Sequence, residues 1–190
     1  MQTPGARSAI QVILREHQQL STVIAGMQRF VELRASGANA PELMVLRAML
    51  YYIREFPERV HHPKEDRYLF ARLRDRAGDL DNTIAELEEQ HVQGEAQVRN
   101  IEHALTRYEL AGASALPALR TQIDNFAAFY RNHMLLEEQV ILPAASRWLT
   151  EQDWEDANEA FGANRDPLSG VEAEDDLDRL FSLIVNTLPG

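Results

Sequence analysis

A histidine and a glutamate stand four residues apart in His133-Met134-Leu135-Leu136-Glu137, inside an apolar run that ends at Pro143, and the same spacing occurs earlier in His61-His62-Pro63-Lys64-Glu65. On an α-helix, positions i and i+4 share one face one turn apart, so each pair aims an imidazole and a carboxylate in the same direction. Two further histidines, His17 and His91, fall within apolar stripes elsewhere in the chain. There are no cysteines, which excludes disulfides, thiolate catalysis, iron-sulfur ligation and Cys-based zinc sites. Any metal must therefore rest on nitrogen and oxygen. Neutral imidazole suits iron, zinc, copper and nickel, while carboxylates are hard anions able to bridge two cations. The mixed set fits a dinuclear non-haem iron centre better than a lone zinc.

These side chains need helices to carry them. Ser8 can cap a first helix with apolar positions Ile10, Ile13, Leu14, Leu20, Ile24, Met27 and Val31, whose stripe includes His17. The turn Ser36-Gly37-Ala38-Asn39-Ala40 leads to Pro41 at the expected start of a second helix, with Leu43, Leu46, Leu50, Ile53, His61, Glu65, Tyr68 and Leu73 on one face. Pro57 and Pro63 each remove a backbone donor, so this helix is expected to bend without splitting in two. After the turn at residues 77–82, a third helix points Ile84, Leu87, His91, Val98, Ile101, Leu105 and Tyr108 inward. Pro117 opens a fourth with Leu119, Ile123, Phe126, Tyr130, His133, Glu137, Val140 and Trp148.

Short turns between four helices favour antiparallel neighbours, and hence an all-α, up-down-up-down four-helix bundle over residues 8–148. Depth along the helices tests the idea. His17 lies roughly 26 Å before the end of helix 1 and His61 roughly 30 Å after the start of helix 2, at 1.5 Å per residue. His91 and His133 give similar runs to the turn between helices 3 and 4. All four imidazoles thus fall at nearly one level, where Glu65 and Glu137, diagonal across the bundle, can each bridge two metals. A single His-x-x-x-Glu pair is as readily a solvated helix pair, worth a few tenths of a kcal/mol. Two such pairs with two inward histidines at matched depth argue for a metal centre, because buried imidazoles and carboxylates cost several kcal/mol without partners.

Residues 149–190 form a C-terminal helical extension expected to pack on the bundle or on a partner. Thr150-Glu151-Gln152-Asp153 is a capping sequence for a short helix through Trp154 and Phe161, and an acidic stretch from Glu172 to Asp178 leads into an amphipathic segment ending before Pro189. Trp148 and Trp154 are expected to help dock it, and a homodimer through this tail is an open option. The chain of 190 residues has a formal net charge of -11 and no basic stripe, which argues against a nucleic-acid partner. No apolar run spans a bilayer and the N-terminus lacks a secretory pattern, so the expectation is a soluble cytoplasmic protein.

Glu16-His17, His61-His62-Pro63-Lys64-Glu65-Asp66, Glu89-Gln90-His91-Val92-Gln93-Gly94-Glu95 and His133-Met134-Leu135-Leu136-Glu137-Glu138 resemble, as a set, the motifs of the hemerythrin-like, or HHE cation-binding, family of four-helix-bundle di-iron proteins. The resemblance implies two non-haem irons, with an oxo or hydroxo bridge as an option, held by His17, His61, Glu65, His91, His133 and Glu137. Oxygen-carrying members have a second helix 3 histidine one turn after the first. Here that position is Glu95, read either as an additional ligand or as an acceptor orienting a histidine. The resemblance further implies reaction with a small diatomic or peroxide (O2, NO) in sensing, storage or stress response. Similarity of the helix 4 run to bacterial members that repair damaged iron centres offers an alternative role in iron donation; a structural bundle with a partner-recruiting tail is a third. His62, about 100° around the helix from His61, is expected to face solvent or to support a ligand; His103, Asp66 and Glu138 are read as surface groups.

Overall fold

The computed structural model describes residues 4–164, and no strand occurs among them. Helix α1 spans Pro4–Ser36, α2 residues 43–74, α3 Asp81–Ala111, α4 residues 116–148 and α5 Glu151–Gly162. Two boundaries differ from expectation. Helix α1 starts at Pro4, ahead of Ser8, and α2 starts at Leu43 because the backbone stays extended through Glu42 (φ -65°, ψ 155°). Gly37, at φ 69°, ends α1 in the left-handed conformation that glycine adopts without a Cβ penalty.

Helix α2 is continuous, but two of its stretches, Arg54–His61 and Asp66–Phe70, are π-helical; α4 has a third at Glu137–Ile141. Each lies beside a proline: Pro57 is inside the first, Pro63 lies between the first two, and Pro143 sits just past the third. A wider i→i+5 turn relaxes the clash between the proline ring and the preceding carbonyls and absorbs the missing N–H donor. It also shifts the register of the residues beyond it. In and beside these stretches Phe56 and Pro57, His61 and His62, and Leu69 and Phe70 are buried as neighbours, and Tyr68 is only half-buried. In α4 the same shift buries Ile141 and Leu142 and leaves the expected Val140 half-buried.

Around the bundle, α1 contacts α2 and α4, and α3 contacts α2 and α4. The apolar core is divided. One cluster joins residues such as Met27, Phe30, Tyr52, Ile123 and Phe126; the other gathers Ala9, Ile13, Leu69, Phe70, Ile84, Ile141, Trp154 and Phe161. Each fully buried Leu, Ile or Phe contributes about 1.5–3 kcal/mol, so the two clusters hold the helices together on either side of a polar layer. That layer consists of Glu16, His17, His61, His62, Glu65, His91, His133 and Glu137.

Helix α5 packs along α1 and completes the second cluster with Trp154 and Phe161. A capping box starts it: the Asp153 backbone N–H donates to the Thr150 hydroxyl (3.3 Å) and the Thr150 backbone N–H donates to the Asp153 carboxylate (2.8 Å). The Ala9 backbone N–H donates to Asn158 Oδ1 at 2.8 Å. Trp148, expected inside, is 41% exposed and lies beneath the Arg147 guanidinium, because the widened turn rotates the end of α4. The expected acidic stretch, amphipathic segment and tail-mediated dimer all fall outside the described residues. No helix among the described residues is long and apolar enough to cross a membrane.

Candidate metal centre

The six residues selected by helical periodicity, His17, His61, Glu65, His91, His133 and Glu137, converge in the polar layer, all buried. Four helices supply them: His17 from α1, His61 and Glu65 from α2, His91 from α3, His133 and Glu137 from α4. Both carboxylates reach in two directions. Glu65 Oε1 lies 3.3 Å from His61 Nε2 and 3.8 Å from His17 Nε2, while its Oε2 lies 3.8 Å from His91 Nε2. Glu137 Oε2 lies 3.3 Å from His17 Nε2, while its Oε1 lies 3.4 Å from His133 Nε2 and 3.7 Å from His91 Nε2. Each glutamate thus presents one oxygen to the His17/His61 half and the other to the His91/His133 half.

A uniform device orients the four imidazoles. His17 Nδ1 is 2.9 Å from Glu138 Oε1, His61 Nδ1 2.7 Å from Glu16 Oε2, His91 Nδ1 2.9 Å from Asp66 Oδ1 and His133 Nδ1 2.9 Å from Gln90 Oε1. Ionised carboxylates and the amide oxygen of Gln90 only accept, so Nδ1 carries the hydrogen and donates; the Nε2 side of each ring faces the carboxylates at the centre. Oxygen acceptors of this kind fix the tautomer and raise the basicity of metal-binding histidines.

Two buried carboxylates demand positive charge. Burial opposes charging the imidazoles, yet the surrounding carboxylates win at three of them: Glu137, Glu138 and Glu65 hold His17 well above 6.5, Glu65 and Glu16 raise His61 to about 9, and Asp66 and Glu137 raise His91 to about 10. At His133 burial outweighs Glu137, and the ring is held below 6.5. Burial likewise opposes ionising Glu65, but His61 and His17 hold it well below 4.5; Glu137 falls to about 2 despite burial and the nearby Glu65, through His133, His17 and His91. In the metal-free protein, protons on imidazoles supply the compensating charge that a cation would otherwise bring.

Glu95 is not part of this cluster. Its side chain is 64% exposed and pairs with Arg99 at 3.0 Å. Gly94, not Glu95, is the buried residue here; a Cβ on it would overlap the Tyr130 hydroxyl and sit 2.8 Å from Glu58 Oε1. The close approach of α3 to that Tyr130–Glu58 hydrogen bond leaves Glu95 on the wall of a surface cleft. Periodicity also undervalued several groups. His62 is 3% exposed, with its ring stacked on His91 at 4.2 Å between centroids, instead of facing solvent. Asp66 and Glu138 are partly exposed, yet they orient His91 and His17. Glu16, buried beside His17, and Gln90, adjacent to His91, carried no separate signal beyond their place in the motifs. His103 is exposed as expected.

Among the described residues, two sets can each bring their ligand atoms within 4.8 Å of one another: His17, His61 and Glu65, and His62, Glu65, His91 and His133. Glu65 belongs to both. The donors also fit a cation by what they lack, since Nε2 of His61, His91 and His133, Glu65 Oε2 and both Glu137 oxygens are buried without a hydrogen-bond partner. Each such atom costs about 1–3 kcal/mol if left unpaired, and coordination would satisfy all of them together. No curated protein and no solved structure matches the chain. A family model, the hemerythrin HHE cation-binding domain, matches residues 8–145, the span that contains all four helices' histidines and both shared carboxylates. The chain therefore belongs to the hemerythrin HHE cation-binding family, whose domains bind metal, typically iron.

Proposed function

We propose that the protein is a di-iron protein that reacts with a small ligand, O2, NO or peroxide, in sensing, storage or stress response. Its helices run up-down-up-down as an antiparallel bundle, and each half of the cluster would hold one metal. The observation that carries this reading is the division of each carboxylate: Glu65 and Glu137 both offer one oxygen to each half, the arrangement of a bridge. His17 and His61 would hold one metal and His91 and His133 the other. When bound, the iron pair supplies the redox chemistry. The chain holds the donors in place through the four Nδ1 acceptors, excludes water with the apolar clusters on both sides, and balances the cationic charge with two glutamates.

A second reading, iron donation to damaged iron centres, draws support from a cleft of about 630 Å³ lined by His62 and His91 along with Arg54, Glu58, Asp66 and Glu95. Through it one edge of the centre reaches solvent. The two readings separate experimentally. Mixing the anaerobically reduced, iron-loaded protein with O2 or NO is expected to change its visible spectrum, with iron retained. Loss of iron to an apo-acceptor without any spectral response to either gas would favour donation.

A further inference from the structure

We propose that Lys64 and Asn164 are positioning residues for His61, joined to it through Glu16 in a hydrogen-bond relay that ties the end of α5 to the metal held by His17 and His61. The relay itself is formed in the metal-free protein; only its effect on iron rests on the di-iron reading. Lys64 precedes the shared carboxylate Glu65 in α2, and Asn164 is the second residue beyond α5. The Lys64 ammonium donates to the Ala160 carbonyl at 2.7 Å and to Asn164 Oδ1. The Asn164 amide nitrogen donates to both Glu16 oxygens, at 3.0 and 3.2 Å. Glu16 Oε2 in turn accepts from His61 Nδ1 at 2.7 Å.

Donor and acceptor types give the relay its direction. An ammonium only donates and a carboxylate only accepts, so the group between them must offer an oxygen to one and N–H to the other, as a primary amide does. The burial of Glu16 makes this support necessary. Asp66 and Glu138, which orient His91 and His17, are partly exposed and can take hydrogen bonds from water. Glu16 is 3% exposed, so its oxygens depend on donors from the protein, and Asn164 serves both of them. A buried carboxylate short of donors is costly, so without Asn164 the Glu16 side chain is driven to seek other partners and His61 loses its fixed orientation. Lys64 holds Asn164 from the opposite side. Its bond to Ala160 also places a positive charge at the negative end of α5, where a cation is favoured.

Two variants of the full chain provide the test. Asn164→Asp keeps the size of the side chain and an oxygen for Lys64, but turns an acceptor towards Glu16; Lys64→Met removes the charge and both of its bonds. In the proton NMR spectrum of the metal-free protein, the His61 Nδ1–H signal, assigned by its loss in His61→Gln, is expected to shift and to exchange faster with water in both variants, while the His91 Nδ1–H signal stays in place. A His61 signal unchanged in both would overturn the relay, and either variant decides if the other fails to fold. In the iron-loaded protein, each variant should lose one iron to a chelator about tenfold faster than wild type, and the other iron, the one whose loss Asp66→Asn speeds, at the wild-type rate. The double variant should lose the first iron no faster than the single variants, because one relay is broken only once. Additive effects, equal speeding of both irons, or wild-type rates for both would overturn the positioning role and leave the di-iron reading standing. A wild-type protein that binds no iron would end the di-iron reading, with the His61 signal still deciding the relay.

Discussion

The His17/His61 half of the cluster and the His91/His133 half use the same donor types in different housings. The first lies under α5. Phe161 stands 6.1 Å from the His61 ring, and Asn164 Nδ2 donates to both oxygens of Glu16, the acceptor that orients His61. The second faces the cleft, and Asp66, which orients His91, is partly exposed, as is Glu138, which orients His17, so the contrast lies between the supports of His61 and of His91. A buried acceptor without access to water depends on its protein partners; an exposed one can exchange them for solvent. The His61 side therefore depends on packing that comes from beyond residue 150, whereas the His91 side is held within the four-helix core and left accessible.

The shared carboxylates should show the largest effect. Glu137→Ala or Glu65→Ala removes an oxygen from both halves at once, and is expected to abolish binding of both metals and the stabilisation that metal confers, seen as equal melting temperatures with and without iron. Loss of only one metal would break the picture of a common bridge. Next, Glu16→Ala is expected to weaken the α5-side metal by about 10–100-fold, measured by competition with a chelator. Asp66→Asn should weaken the cleft-side metal less, since water can reach its position. Equal losses would remove the proposed difference between the halves.

A smaller effect is expected at the seam where α3 meets the Glu58–Tyr130 pair. Gly94→Ala forces that pair to move and should destabilise the protein by about 1–3 kcal/mol, read by chemical denaturation; an unchanged midpoint would mean that the contact is not tight. At the far end of the scale, Thr150→Ala removes the α5 cap and should cost about 1 kcal/mol. Because Phe161 and Asn164 support the His61 side directly, chelator competition on this variant should show faster loss of one metal than of the other.

The pH dependence has a definite sign. His61 and His91 are raised in the metal-free fold from 6.5 to about 9 and about 10, so their stabilisation is complete below about pH 6.5 and is lost as pH rises through 9 to 10. Glu137 is lowered from 4.5 to about 2, so its contribution is present above about pH 4.5 and is lost as pH falls towards 2. Melting temperatures of the metal-free protein should thus peak between these limits. Metal requires the deprotonated imidazoles, so the rise in melting temperature on adding iron should grow with pH across the alkaline limb. A rise independent of pH would contradict imidazole ligation.

Helical periodicity sufficed to find the six converging residues because depth along a helix depends on residue count alone, and His17, His61, His91 and His133 match in that count. It also located α5, whose Thr150 and Asp153 announce a cap and whose Trp154 and Phe161 supply an apolar face. Its misses trace to two physical causes. The π-helical turns near Pro57, Pro63 and Pro143 change the angle per residue, so His62 and Ile141 are buried, Val140 is half-buried and Trp148 is exposed. The Nδ1 acceptors Asp66 and Glu138 place only their carboxylate tips against a histidine, a contact that charge and position along a helix do not distinguish from an ordinary solvated acid. Glu95 shows the converse: correct spacing from His91 on a regular helix, displaced because Gly94 takes the close contact.

The number of irons bound by the full chain, prepared anaerobically with iron supplied, decides whether the two glutamates serve a di-iron centre. About two irons per chain are expected for the wild type and none for Glu137→Ala. A wild-type protein with fewer than about one iron per chain, or a Glu137→Ala protein that retains both, would contradict that role.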